Sequence, residues 1–67
     1  MGIQINRIKA VLAETGHSNS WLANKISKNP TTISRWCTND SQPTLETLYQ
    51  IAQILNVDIR DLLNKTK

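Results

Sequence analysis

With 67 residues, 39% of them hydrophobic, the chain has room for one small core and no second domain, so residues 1–67 are read as a single domain. Its one cysteine, Cys37, excludes a disulfide framework and a thiolate metal site, and no apolar run nears the roughly 20 residues of a membrane span. The net charge of +3 is uneven: residues 1–39 hold Arg7, Lys9, Lys25, Lys28 and Arg35 against Glu14 alone, a net +4, leaving −1 for residues 40–67. A basic half of this kind suits a polyanionic partner. No leader peptide is recognisable, which predicts a cytoplasmic chain with no membrane partner.

Ile5, Ile8, Val11 and Leu12 recur at helical spacing and predict a first helix, ended by Gly16 in a left-handed turn. Ser18 is placed to cap a second helix running to about Ile26. Asn29-Pro30 opens a third: asparagine caps, and proline takes the first helical position, where no amide donor is needed. Asn39 to Pro43 reads as a polar loop. Thr44 caps a fourth helix whose Leu48, Ile51, Ala52 and Leu55 stand at i, i+3, i+4 and i+7, with Glu46 suited to its positive N-terminal end. Asp58 caps a fifth, bearing Ile59, Leu62 and Leu63. No segment alternates with period two, so the predicted fold is all-α, a compact five-helix domain.

Residues 18–38 stand out within this plan. Leu22, Ala23 and Ile26 share one face of the second helix, and Ile33 and Trp36 share the inner face of the third. Nine residues separate Ala23 from Ile33, and alanine is small enough to admit the close approach of the next helix. Two short helices crossing steeply, the second with a polar outer face, describe a helix-turn-helix.

The run Ser18-Asn19-Ser20-Trp21-Leu22-Ala23, then Thr32-Ile33-Ser34-Arg35-Trp36, Gln42-Pro43 and Leu48-Tyr49-Gln50-Ile51-Ala52-Gln53-Ile54-Leu55 resembles the Xre-like, Cro/cI-type helix-turn-helix family. The resemblance spans Ile5 to Leu63 and implies a lambda-repressor-like fold in a bacterial or phage-encoded, nucleoid-associated regulator. It implies sequence-specific binding of double-stranded DNA, as a repressor, with helix 29–38 in the major groove. Pro30, Thr31, Ser34 and Arg35 match the outer positions from which family members read base edges. Arg35 suits guanine, whose O6 and N7 a guanidinium grips with two hydrogen bonds. Asn19, Lys28, Thr32, Asn39, Ser41 and Gln42 are candidate phosphate contacts. Family members act as two-fold dimers on roughly palindromic sites; Ile54 and Ile59 are the candidate anchors of such an interface.

Four departures from the family pattern stand out, the last a pair of positions. Asn19 stands where glutamine is usual and reaches one methylene less far. Ser27 takes the turn position normally given to glycine, where the backbone often has positive φ. Lys28 replaces an apolar turn residue. Leu12 and Cys37 replace an arginine and a glutamate that many members bury as a pair, and losing both charges together strands neither.

Other residues read as structural. Trp36 belongs to the core. Trp21, with Lys25 one turn on, either covers the end of the first helix or flanks the DNA backbone. His17 reads as a solvated turn residue. One histidine, one cysteine and no glycine-rich phosphate loop leave no catalytic, metal or cofactor constellation and no evident small-molecule site. The competing reading is an antitoxin or protein-interaction module on the same fold.

Overall fold

The computed structural model describes residues 3–67, which form α1 (Ile8–Thr15), α2 (Asn19–Lys25), α3 (Pro30–Cys37), α4 (Leu45–Leu55) and a one-turn 3₁₀ helix (Ile59–Leu62). The only β feature among the described residues is an isolated antiparallel bridge between Asn6 and Leu63. The fold is all-α.

Helix starts follow the expected caps. Ser18 Oγ accepts from Trp21 N at 3.1 Å, Asn29 Oδ1 from Thr31 N at 2.8 Å, and Thr44 Oγ1 from Thr47 N at 3.1 Å. Each satisfies an amide that the helix itself leaves without a partner. Helix ends share a second device: a left-handed residue follows each of the four α-helices. Gly16 (φ 76°) follows α1, Ser27 (φ 56°) α2, Asn39 (φ 61°) α3 and Asn56 (φ 57°) α4. The reversal lets the next amides bond back, as in His17 N to Leu12 O and Lys28 N to Ala23 O, both 2.9 Å.

Two expectations are corrected at the ends of the chain. Ile5 lies outside α1 and is 49% exposed, because Asn6 breaks the helix: its Oδ1 accepts from Ile8 N at 3.0 Å, so α1 begins at Ile8. The fifth element is a 3₁₀ turn rather than an α-helix. Asp58 caps it by accepting from Arg60 N at 2.8 Å, but Leu63 is already extended (φ −120°, ψ 145°). That conformation lets the two ends of the chain pair, Arg7 N to Leu62 O at 2.9 Å and Asn64 N to Ile5 O at 2.8 Å. Pairing across the ends outcompetes a second helical turn.

One core joins all the elements. Ile8, Leu22, Ile33, Ile51 and Leu62, one from each, are fully shielded. Ala23 (2% exposed) and Trp36 (6%) are buried as expected, on helices α2 and α3 that pack chiefly on each other. Ile26 is half-buried, packed against the core rather than within it.

Candidate nucleic-acid interface

The capping chemistry of Asn29 and Pro30 starts α3, and its inner face is set by three buried residues, Ile33, Trp36 and Cys37. Helical geometry then turns Pro30, Thr31, Ser34 and Arg35 outward, and all four are exposed. The four expected base-reading positions therefore lie together on one solvent-facing side, with Thr38 continuing it and Thr32 half-buried at its flank. The Arg35 side chain is 61% exposed, and its Nε donates to Asp40 Oδ2 at 3.1 Å.

The expected phosphate contacts divide. Lys28 is exposed in the turn between α2 and α3, and Ser41 is half-buried after α3. Asn19, at the start of α2, is half-buried; its Oδ1 lies 3.5 Å from Cys37 Sγ, which donates to it. Its Nδ2 has no partner among the described residues.

Asn39 is a correction. It is 6% exposed and its amide is consumed inside the protein. Its Oδ1 accepts from Ile5 N and Asn6 N, both at 2.9 Å, and from Gln42 Nε2 at 3.1 Å. Its Nδ2 donates to Asn6 O and Gln4 Oε1, both at 3.1 Å. No part of that amide is left for a phosphate. Gln42 is exposed, yet its amide is largely committed too, since Oε1 accepts from Asn6 Nδ2 at 2.7 Å. The buried side chain of Asn6, 3% exposed, completes the cluster by donating to Trp36 O at 2.9 Å.

The basic charge is also less free than a count implies. Arg7 bonds Glu14 Oε2 at 3.0 Å and the Asp61 carbonyl at 2.7 Å. Lys25, itself exposed, lies with its Nζ 5.7 Å from the ring centroid of the half-buried Trp21. The reading of His17 as a solvated turn residue is corrected: it is half-buried, stacked on Trp21 with ring centroids 3.5 Å apart and planes 8° from parallel. Only the i, i+4 spacing of two aromatic rings signalled this pair. Leu12 (2% exposed) and Cys37 (8%) belong to one buried cluster, and burial pushes the Cys37 thiol up against a smaller pull from Lys9. The thiol is thus neutral near pH 7, and the family's buried charges are replaced by apolar groups.

Ile54 and Ile59 are both half-buried against the core. Freer apolar surface stands beside Ile59: Leu45 is 74% and Tyr49 56% exposed, and with Ile59 they line an open groove of about 730 Å³, whereas Ile54 lines a separate cleft with Ile26. Their i, i+4 placement on α4, off the Leu48-Ile51-Ala52-Leu55 stripe, was the available signal. Among the described residues no three His, Cys, Asp or Glu side chains gather as a metal site, and no helix is long and apolar enough to cross a membrane.

Comparison with known proteins agrees with this geometry. A sequence model described as helix-turn-helix matches residues 8–62. The crystal structure of a candidate DNA-binding protein from Bacteroides fragilis superposes with a TM-score of 0.89 at 55% identity, covering 90% of this chain and 97% of that one. No curated protein matches the chain.

Proposed function

The chain belongs to the Xre-like, Cro/cI-type helix-turn-helix family, and on that premise we propose that it is a transcriptional regulator that binds double-stranded DNA sequence-specifically and represses. One observation carries the reading: Pro30, Thr31, Ser34 and Arg35 form an exposed row on a helix whose opposite face is buried. Laid in the major groove, that row meets base edges. Arg35 grips guanine O6 and N7, and the Thr31 methyl packs on thymine. Asn19, Lys28, Thr32 and Ser41 hold the flanking phosphates, with what remains of Gln42, and set the register of α3. The protein pairs on a roughly palindromic operator in the cytoplasm, which places two copies of α3 about 34–36 Å apart.

Selection of bound duplexes from a random pool, followed by salt titration, tests this. A defined motif is expected, with affinity falling steeply as salt rises because cations are released from the phosphates. Within that motif, Arg35→Ala should erase preference at one base pair, worth about 1–3 kcal/mol of discrimination, with the melting temperature kept. Failure to enrich any sequence would favour a protein-interaction module. Equal loss of affinity for all sequences in Arg35→Ala would make Arg35 a phosphate contact instead.

A further inference from the structure

We propose that Asp40 is a positioning and specificity-determining residue, which fixes the Arg35 guanidinium for a guanine edge before DNA arrives. The proposal rests on the reading of α3 as the base-reading helix. It begins at Asn39, whose left-handed backbone (φ 61°) reverses the chain after α3. The reversal brings the next two amides back to one carbonyl: Asp40 N and Ser41 N donate to Arg35 O at 2.9 and 3.3 Å. Asn39 is itself anchored by its buried amide, so Asp40 is held beside Arg35 by backbone structure rather than by chance of rotamer. From there its Oδ2 accepts from Arg35 Nε at 3.1 Å.

Stability does not account for this carboxylate. The two side chains are 61% and 63% exposed, where an ion pair contributes little to folding. Asp40 also lies just past the C-terminal end of α3, where the helix dipole disfavours a negative charge. Its consequence is geometric. With Nε held, the guanidinium loses the side-on edge that includes Nε and keeps the end-on pair, Nη1 and Nη2, which matches guanine O6 and N7. Part of the ordering that an exposed arginine would undergo on docking has then already occurred in the free protein. The carboxylate also repels phosphate oxygens, which sets Arg35 against a backbone contact and towards a base.

The test uses the selected duplex and its three variants at the base pair that depends on Arg35. Asp40→Asn, Asp40→Glu, and Asp40→Asn combined with Arg35→Ala are compared with the wild type. Asp40→Asn is expected to lower guanine preference by about two- to tenfold, to bind random duplex no more weakly, and to melt like the wild type. Asp40→Glu should recover part of the preference, and Asp40→Asn should change nothing in the Arg35→Ala background. In the free protein, the Arg35 Nε–H should exchange with water faster in Asp40→Asn, as read by NMR. Full guanine preference in Asp40→Asn, or an equal loss with and without Arg35, would overturn the proposal. A wild type with no base preference anywhere would instead overturn the base-reading of α3 on which it stands.

Discussion

The side-chain amide of Asn39 pairs with both backbone groups of Asn6, accepting from its N–H at 2.9 Å and donating to its carbonyl at 3.1 Å. One side chain thus does what a neighbouring strand would do for the segment entering α1. It joins that segment to the loop that follows α3.

Removing this amide leaves the N–H groups of Ile5 and Asn6 without partners and leaves the Asn6 carbonyl only the 3.4 Å bond from Asn64 Nδ2, a cost of about 1–3 kcal/mol for each group left unsatisfied. Asn39→Gly keeps the left-handed backbone and loses only the amide, so it isolates the pairing. We expect Asn39→Gly to destabilise by about 2–4 kcal/mol in urea unfolding. Asn39→Asp should fall between, because it keeps the acceptor for two amides and loses the donor. A Gly variant as stable as the wild type would show that water replaces the amide freely.

Ser27 gives a prediction of opposite sign. Its φ of 56° closes the turn between α2 and α3, a conformation that costs a residue with a Cβ roughly 1–2 kcal/mol. Glycine removes that strain but adds freedom to the unfolded chain, so the expected net gain for Ser27→Gly is about 0.5–1 kcal/mol. Thermal melting measures it. An unchanged or lower midpoint would mean that the serine is held there without strain.

These two residues mark what the sequence could and could not reveal. Ser27 was legible because the family resemblance places it at a turn position where glycine is usual and φ is often positive. Ser18, Asn29 and Thr44 were legible as caps because each acts within three residues of itself. The buried pairing of Asn39 was not legible because its partners in Gln4, Ile5 and Asn6 lie more than 30 residues upstream, beyond any local pattern. The outward row on α3 followed from Ile33 and Trp36 facing inward. The Arg35–Asp40 pair did not, since it spans a backbone reversal that no helical spacing describes. The 3₁₀ turn at Ile59–Leu62 escaped for the reason that hid Asn39: the bridge between Asn6 and Leu63 decides where it stops.

Leu12 and Cys37 supply a double-mutant test of the core. Both are buried in one cluster, on helices α1 and α3 that pack together. Leu12→Arg places an unpaired charge there and should cost about 3–5 kcal/mol, a large share of what a domain of this size has. Adding Cys37→Glu should restore part of it, with an interaction energy of about 0.5–3 kcal/mol. Cys37→Glu alone should also destabilise, since it buries a carboxylate without a partner. Strictly additive effects in urea unfolding would place the two side chains out of reach of each other.

Pairing of two copies on DNA gives the last prediction. A helix of eight residues presents four outward positions and reads only a few base pairs, which is too little information to address a genome. Two copies related by a two-fold axis double it. The apolar surface available for that contact is the side of α4 bearing Leu45 and Tyr49 together with the half-buried Ile59, while Ile54 lines a separate cleft with Ile26. Tyr49 is the best place to break it: at 56% exposure, its replacement leaves the core intact. On the selected operator the wild type should bind as two protomers, and the selected sequence should be roughly palindromic. Tyr49→Glu should melt like the wild type, bind an isolated half-site as well as the wild type does, and lose at least about tenfold on the full operator, or about 1.4 kcal/mol. Native mass spectrometry of the complexes gives the stoichiometry directly. One protomer on an asymmetric site would overturn pairing altogether. Two protomers with full affinity in Tyr49→Glu would move the interface off this face.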